Sequence, residues 1–422
     1  AHAPVVRPAP PRHRLLALLG PAFVAAVAYV DPGNVAANIT AGARYGYSLV
    51  WVLVLANTMA VLIQYQSAKL GIVTGRSLPE VLGDRLGRRS RLAFWAQAEL
   101  VAAATDLAEV IGGAIALHLL LGLPLLTGGC LIGAVSMLLL ALQERRSQRT
   151  FEGVVVGLLV VVTIGFVGGL VVAPPDWSST ATGLVPRLRD SDSLLVAASM
   201  LGATVMPHAV YLHSSLVNDH EANELGPSTG DARHSSGHLS RLLRATRIDI
   251  YWALSIAGLV NIGLLLLAAA ALAGQSGTDT IEGAHAAISS TLGPIVGTVF
   301  AVGLLASGLA STSVGAYAGS EIMSGLLHIR VPIMVRRLFS LIPALIILGA
   351  GAEPTWALVV SQVALSFGIP FAIIPLMRLT ANRDVMGDYT NNRPLRVTGF
   401  LIAAVIVALN LFLVYLTLTG QG

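Results

Sequence analysis

The tetrapeptide Asp31-Pro32-Gly33-Asn34 interrupts the first long apolar stretch of the chain. The run from Leu15 to Val30 has only 16 residues, so a helix that crosses a bilayer core of about 20 residues must continue through the tetrapeptide to about Ala43. Proline removes a backbone donor and glycine relaxes the backbone, so we expect the helix to open where Asp31 and Asn34 bring oxygen atoms. A carboxylate at membrane depth is costly unless a partner compensates it.

The composition is that of a polytopic membrane protein. Hydrophobic residues make up 55% of the chain, the mean hydropathy is +0.76, and 11% of residues are charged. Soluble domains carry about 25% charged residues, so these values exclude a soluble protein. The single cysteine, Cys130, excludes an internal disulfide and is expected to be a small packed residue.

Apolar windows near 20 residues long predict eleven membrane spans. Their approximate bounds are 15–43, 46–70, 92–121, 123–142, 152–173, 193–217, 248–273, 292–326, 335–351, 354–377 and 397–419. Between the sixth and seventh spans, residues 218–247 form the longest polar stretch. Its glycines, serines and histidines predict a flexible cytoplasmic linker, with weak metal binding by the histidines as the alternative.

The basic residues predict the orientation of the chain in the membrane. Of the 26 lysines and arginines, 23 fall on one side of the predicted spans, and only Arg44, Arg187 and Arg189 fall on the other. Cytoplasmic loops carry an excess of basic residues, so the N-terminus is expected inside and the C-terminus outside. This topology explains the positive net charge, and no nucleic-acid partner is needed.

A second interruption lies in the sixth span, at Ala203-Thr204-Val205-Met206-Pro207-His208. If residues 15–173 and 193–377 are two repeats, both interruptions fall in the first helix of a repeat. Five spans per repeat make the repeats inverted, and 397–419 is then an extra helix. Interrupted helices in corresponding positions of two halves indicate the binding site of a transporter. The alternative is that both prolines only kink their helices.

The two interruptions together offer an unusual set of metal ligands. Asp31 supplies a charged oxygen, Asn34 a neutral oxygen and Met206 a thioether sulfur. Carbonyls freed by unwinding, those of Ala28 and Ala203, would add two oxygens. Because Mg²⁺ and Ca²⁺ prefer all-oxygen sites, the thioether indicates a divalent transition metal ion.

Both motifs resemble the signatures of the Nramp family of proton-coupled metal transporters. The resemblance covers essentially all eleven spans. It implies an all-α, LeuT-type fold of two inverted five-helix repeats plus an eleventh helix, with helices 1 and 6 discontinuous. It also implies import of Mn²⁺ and Fe²⁺ with protons by a multi-pass protein of the bacterial inner membrane. By the same resemblance the metal ligands are Asp31, Asn34, Met206, Ala28, Ala203 and, as the site occludes, Gln362.

The residues leave other properties of the transported ion open. Co²⁺, Zn²⁺ and Cd²⁺ can accept the same ligands as Mn²⁺ and Fe²⁺. We expect no cofactor and no obligatory protein partner. The partners are the metal ion, protons and the lipid bilayer.

Three acids in the third span suggest a path for protons. At 100° per residue, Glu99, Asp106 and Glu109 lie on one stripe about 80° wide. They must therefore face the bundle interior or water. The alternative is a structural ion-pair cluster with Arg336 and Arg337. The family resemblance places Asp106 and Glu109 on the proton exit route, with these two arginines as their partners.

Two histidines follow the second interruption. An imidazole suits proton handling, and we expect this role for His208 rather than for His213. The alternative for either histidine is a hydrogen-bonded core residue. Asp31 is the expected first proton acceptor because it already lies at the metal site. A divalent ion that binds there would favour release of this proton, which would couple the two substrates.

Two other functions compete with metal transport. A sodium-coupled amino-acid carrier shares the fold, but Asp31 would repel the substrate carboxylate unless it faced an amine or sodium. A membrane metalloenzyme using His208, His213 and Glu109 lacks a His-Glu-x-x-His run. The absence of a Gly-x-x-x-x-Gly-Lys-Ser/Thr motif argues against an ATP-driven pump within this chain.

Overall fold

The computed structural model describes residues 20–145, 148–225, 236–275, 277–278, 280–329, 331–351 and 353–419. Every regular element within these ranges is a helix. The first half contains α1 (Pro21–Val27), α2 (Pro32–Tyr45), α3 (Val50–Thr74), α4 (Leu78–Arg85), α5 (Arg88–Leu121), α6 (Leu125–Arg145), α7 (Gln148–Val167), α8 (Gly169–Val172) and α9 (Trp177–Thr182). The second half contains α10 (Ser191–Thr204), α11 (Pro207–Leu225), α12 (Ser236–Ala271), α13 (Ile281–Leu292), α14 (Pro294–Leu327), α15 (Ile333–Gly349), α16 (Pro354–Thr380), α17 (Arg383–Met386) and α18 (Arg393–Leu418).

Each predicted span corresponds to one long helix or to two helices separated by a short break. In the described part of the chain, seven helical stretches are long and apolar enough to cross a membrane: Pro32–Thr74, Arg88–Leu121, Thr150–Val172, Asp192–His220, Gly237–Ala271, Pro294–Leu327 and Arg393–Phe412. Three shorter apolar stretches are Pro21–Val30, Leu125–Ala141 and Phe367–Thr380. Large apolar side chains such as Ile164, Leu259 and Ile346 are exposed, as expected for helices that face lipid.

The predicted linker between the sixth and seventh spans is shorter than the sequence indicates. α11 continues to Leu225 and α12 begins at Ser236, so the prediction of a flexible linker over all of 218–247 is wrong at both ends. Residues 226–235, and residues 15–19 of the first predicted span, lie outside the described residues. With 36 residues, α12 is about 54 Å long, so its polar first turns extend beyond a 30 Å bilayer core without ceasing to be helical.

Small residues bring the helices around the first break into close contact. A Cβ on Gly112 of α5 would collide with the ring of Pro32, so glycine is required for this close approach. Nearby, Gly308 of α14 packs directly on the backbone of Gly113. Small residues allow such close packing between membrane helices. The break at Asp31 is therefore held against both α5 and α14.

Candidate metal centre

The first break forms the start of α2. α1 ends at Val27, Ala28–Val30 form one 3₁₀ turn, and Asp31 has an extended backbone with φ −69° and ψ 167°. The Asp31 carboxylate caps α2, because its Oδ1 accepts a hydrogen bond of 2.8 Å from the Asn34 backbone N–H. Proline at the first helical position is favoured there, and the positive end of the helix dipole stabilises an anion. The local sequence thus places a carboxylate at the centre of the break.

The second break lies beside the first. α10 ends at Thr204, Val205 is extended with ψ 91°, and α11 begins at Pro207. The Asn34 side-chain amide donates to the Ala203 carbonyl at 3.0 Å and to Asp31 Oδ1 at 2.7 Å. Asn34 therefore joins the two broken helices, and it brings three of the predicted ligands together.

Two oxygen atoms at this junction have no hydrogen-bond partner among the described residues. They are Oδ2 of Asp31 and Oδ1 of Asn34, and both residues are at least 99% buried. A buried polar atom without a partner is costly, so such atoms point to a binding role. Met206 is also buried and belongs to the same apolar cluster as Ala28 and Val30. The contacts of the described residues do not link the Ala28 carbonyl or the Met206 sulfur directly to Asp31.

Gln362 of α16 lies against the first break. A Cβ on Gly33 would overlap the Gln362 amide nitrogen and would lie 3.2 Å from Asp31 Oδ2. A larger residue at position 33 would displace the end of the Gln362 side chain. The Gln362 Nε2 atom has no hydrogen-bond partner in the described part of the chain. The structure thus brings Gln362 close to the carboxylate of Asp31.

The arrangement differs from metal centres built from charged or imidazole ligands. The described residues contain no group of three or more His, Cys, Asp or Glu side chains that could hold a metal ion. The predicted ligand set instead combines one carboxylate, amide oxygens, backbone carbonyls and a thioether. Such mixed oxygen and sulfur ligands suit a transition metal ion that binds reversibly.

Two further residues at the first break are not apparent from the sequence. Asn261 of α12 donates to the Tyr29 carbonyl at 2.7 Å, and the Ser307 hydroxyl of α14 donates to the Val30 carbonyl at 2.5 Å. Both donors are polar residues within largely apolar helices, and the sequence contains many others of this kind. Only the packing of α12 and α14 against the break reveals what they contact.

The three acids of α5 lie in different environments. Arg337 pairs with Asp106 and donates to Ser136 Oγ at 2.9 Å, and the Thr312 hydroxyl donates to Asp106 Oδ1 at 2.9 Å. Arg336 pairs with Glu99 at 2.8 Å. The structure therefore brings both arginines of α15 to acids of α5.

Glu109 is fully buried and has no arginine in contact. Neither of its carboxylate oxygens has a hydrogen-bond partner among the residues described, and the nearby Ser311 hydroxyl donates instead to the Ser307 carbonyl at 2.7 Å. Asp106, Asp31 and Arg337 are the charged groups near enough to act on Glu109. Glu109 thus interacts electrostatically with both the first break and the Asp106–Arg337 pair.

The two histidines after the second break have different partners. His208 Nδ1 lies 3.5 Å from the Thr105 hydroxyl, and its Nε2 has no partner in the described residues. His213 Nδ1 lies 2.7 Å from Gln64 Oε1, and Gln64 donates to the Tyr29 hydroxyl at 2.7 Å. His213 is therefore part of a hydrogen-bonded core, whereas His208 lies beside α5.

Comparison with known sequences identifies similar proteins over almost the whole chain. The family model described as Natural resistance-associated macrophage protein-like, Nramp, matches residues 22–416. The divalent metal cation transporter MntH of Mycobacterium tuberculosis H37Rv is 57% identical over 403 residues, which cover 96% of this chain and 92% of that protein. MntH of Bacillus subtilis 168 is 45% identical over 403 residues, which cover 95% and 92% of the two chains.

Comparison with solved structures supports the same fold. The crystal structure of the Eremococcus coleocola manganese transporter, in complex with an aromatic bis-isothiourea compound, matches with a TM-score of 0.87 and 32% identity, covering 97% of this chain and 89% of that one. Mhp1, a nucleobase-cation-symport-1 family transporter, matches with a TM-score of 0.57 and 16% identity, covering 94% and 91% of the two chains, and this likeness shows the fold alone. The predicted LeuT-type helical fold is thereby confirmed.

Proposed function

The chain belongs to the Nramp family, and on this premise we propose that it is a secondary transporter that imports divalent transition metal ions of the Mn²⁺ and Fe²⁺ class together with protons. The relatives are named as divalent metal cation transporters and a manganese transporter. The observation that carries the proposal is the junction of two broken helices through Asn34, beside the unpaired oxygen of Asp31.

In this proposal the metal ion binds between the two breaks. Asp31 and Asn34 supply side-chain oxygens, Met206 supplies sulfur, and the carbonyls of Ala28 and Ala203 supply two further oxygens. Gln362 joins when the site closes, which its position against Gly33 supports. The thioether favours Mn²⁺, Fe²⁺, Co²⁺, Zn²⁺ and Cd²⁺ over Ca²⁺ and Mg²⁺, which prefer oxygen ligands.

Protons take a route through α5. Asp31 releases its proton when the divalent ion binds, because the ion compensates the carboxylate charge. Glu109 and His208 lie on the next part of the route, and the proton then passes the Asp106–Arg337 and Glu99–Arg336 pairs. The electrostatic interactions of Glu109 with both Asp31 and Asp106 support this order.

Transport proceeds by alternating access. The two breaks form one site near the middle of the bilayer, and one repeat rocks against the other around it. The proposed repeats are residues 15–173 and 193–377, followed by the extra helix 397–419. In this proposal the protein lies in the bacterial plasma membrane, with its N-terminus inside and its C-terminus outside.

Uptake into proteoliposomes that also contain a pH indicator tests the proposal. Wild-type protein is expected to accumulate Mn²⁺ and to acidify the lumen in the same experiment. Loss of an outer-shell partner typically weakens metal binding 10- to 100-fold, so Asp31→Ala, which removes a direct ligand, should reduce uptake by at least about 100-fold. Asp176→Ala, which removes an exposed carboxylate at the start of α9, is the matched control and should transport normally.

Two results would contradict the proposal. Retained Mn²⁺ transport in Asp31→Ala would remove Asp31 from the site. Inhibition of uptake by amino acids, with sodium required, would favour the amino-acid carrier of the same fold. The unpaired Asp31 oxygen supports the metal transporter, because it would repel a substrate carboxylate.

A further inference from the structure

The unwound segment before Asp31 contains backbone carbonyls that are each held by a side chain from another helix. The Tyr29 carbonyl accepts from Asn261 at 2.7 Å, and the Val30 carbonyl accepts from Ser307 at 2.5 Å. Donors and acceptors are all at least 97% buried, so water does not compete for these bonds. Two of the three carbonyls immediately before Asp31 are therefore engaged by protein donors.

The donor Asn261 is itself fixed by α2. Asn38 donates through its side-chain amide to Asn261 Oδ1 at 2.8 Å. Asn38 lies four residues after Asn34, so both asparagines are on the same face of α2. The bonds from Asn38 to Asn261 and from Asn261 to Tyr29 thus connect the two sides of the break through α12.

The donor Ser307 is fixed by the close packing of α14. Its neighbour Gly308 lies directly on the backbone of Gly113 in α5. The hydroxyl of Ser311, one turn later, donates to the Ser307 carbonyl at 2.7 Å rather than to the break. The Ser307 hydroxyl therefore contacts the Val30 carbonyl from a closely packed part of α14.

Carbonyls freed by unwinding are the usual ligands of hard cations in broken membrane helices. Ca²⁺ needs six to eight oxygen ligands and Mg²⁺ needs six, whereas softer ions accept fewer oxygens and a sulfur. The Tyr29 and Val30 carbonyls point at donors on α12 and α14, which are not proposed ligands. The Ala203 carbonyl differs, because its donor is Asn34, which is itself part of the candidate centre. Engaging two carbonyls thus reduces the number of hard ligands available beside Asp31.

We propose that Asn261 and Ser307 determine specificity by withholding the Tyr29 and Val30 carbonyls from the metal site. The inference rests on the proposed function, since it requires that the first break binds the ion. Asn261 and Ser307 act through the backbone and do not touch the ion, so they are positioning residues. Their role differs from that of Met206, which supplies a favourable ligand for soft ions.

Uptake into proteoliposomes, with Ca²⁺ as competitor of Mn²⁺, tests this inference. Ser307→Ala frees the Val30 carbonyl, and the ratio of Ca²⁺ to Mn²⁺ affinity is expected to rise on the order of tenfold, equivalent to about 1.4 kcal/mol. Ser307→Thr keeps the hydroxyl and should retain the wild-type ratio. Ser313→Ala is the matched control, because this buried hydroxyl of the same helix donates only to the Leu309 carbonyl, at 2.9 Å.

A second variant, Asn261→Leu, and uptake of the soft ion Cd²⁺ keep the test valid if Ser307→Ala does not fold. Asn261→Leu has a similar volume, removes the donor to Tyr29 and should raise the Ca²⁺ to Mn²⁺ ratio in the same direction. Cd²⁺ uptake should persist in both variants, because the Met206 thioether is intact. Unchanged ratios in the folded variants, with wild-type Mn²⁺ uptake present, overturn this inference alone. Absent wild-type uptake overturns the proposed function itself.

Discussion

At the scale of single residues, the charge of the candidate metal centre and its preference for softer ions come from different side chains. Asp31 carries the charge at the N-terminus of α2, and its Oδ2 atom has no partner within the described structure. Met206 carries no charge and is 1% exposed in a short break between α10 and α11. Any divalent ion gains from the carboxylate, whereas only softer ions gain from the sulfur. Removing each residue should therefore have a different effect.

We expect Met206→Ala to change selectivity more than Mn²⁺ transport. Mn²⁺ uptake should fall no more than about tenfold, while Ca²⁺ becomes a competitor and Cd²⁺ uptake decreases, because the soft ligand is lost. Metal uptake into proteoliposomes measures all three ions. Met200→Ala, which truncates another fully buried methionine inside α10, should leave the preference unchanged. An unchanged preference in Met206→Ala would contradict the thioether argument.

The sequence indicates some site residues and hides others for a physical reason. Asp31 and Met206 stand out because each adjoins a proline inside an apolar run. Asn261 and Ser307 adjoin no helix breaker, and a single amide or hydroxyl in a membrane helix often bonds within its own helix. Their roles depend on which carbonyl lies opposite them, and this is decided by packing between distant helices.

At the scale of elements, the N-terminus of α1 is anchored by another helix. Gly20, which precedes α1, has no side chain that could cap the helix. Asp249 of α12 replaces that cap, because its Oδ2 accepts from the backbone N–H groups of Gly20 at 3.1 Å and Ala22 at 3.0 Å. The N-terminal half of the first broken helix is thus bound to α12 by two charge-assisted hydrogen bonds.

Removing this cap should release α1 toward the cytoplasmic side. Loss of a helix cap costs about 0.5 to 2 kcal/mol. Asp249→Ala should therefore increase the fraction of molecules in which α1 is released by roughly 2- to 30-fold. The rate at which a thiol reagent modifies Val24→Cys, a buried position in α1, in a Cys130→Ala background measures this opening. Asp190→Ala removes the cap of α10 at the opposite end of the bundle and should not raise the rate. An equal rate in Asp249→Ala and its parent would disprove the anchor.

The helix α5 suggests a separate experiment on protons. Glu109→Gln keeps the shape of the buried side chain but cannot carry a proton, so Mn²⁺-driven proton flux should fall by at least about tenfold, or 1.4 kcal/mol in the barrier. Mn²⁺ binding to the purified protein, measured by calorimetry, should stay within a factor of about three because Glu109 is not a proposed ligand. Glu353→Gln changes an exposed glutamate and is the control. Normal proton flux and normal pH dependence in Glu109→Gln would remove it from the route.

Element boundaries follow from the sequence only where hydropathy changes. The long apolar helices agree with the predicted spans, whereas the polar ends of α11 and α12 continue as helix into the predicted linker. The short helix α4 lies outside the predicted spans, although Ser77 and Glu80 form the capping box that begins it. Hydropathy identifies the apolar segments that can cross a membrane. It does not distinguish a polar segment that continues as helix from a polar loop.

At the scale of the whole molecule, the two interruptions are distant in sequence and adjacent in space. Asn34 and Ala203 are 169 residues apart and are joined by one hydrogen bond. The sequence suggests this meeting through the corresponding positions of the breaks, but the pairing of α5 with α14 and α15 depends on the complete bundle. The predicted odd number of spans would place the two termini on opposite sides of the membrane, and this prediction can be tested directly.

Labelling with a membrane-impermeant maleimide tests the orientation. In a Cys130→Ala background, which removes the only cysteine, Arg187→Cys and Thr419→Cys should label in intact cells because both are expected outside. Arg89→Cys, in the first turn of α5, should label only after the membrane is permeabilised. Arg89 and Arg187 are both exposed, so a difference in labelling between them reports the side of the membrane and not burial. The Cys130→Ala parent should not label. Equal labelling of Arg89→Cys and Arg187→Cys in intact cells would contradict the orientation and, with it, the inward direction of transport.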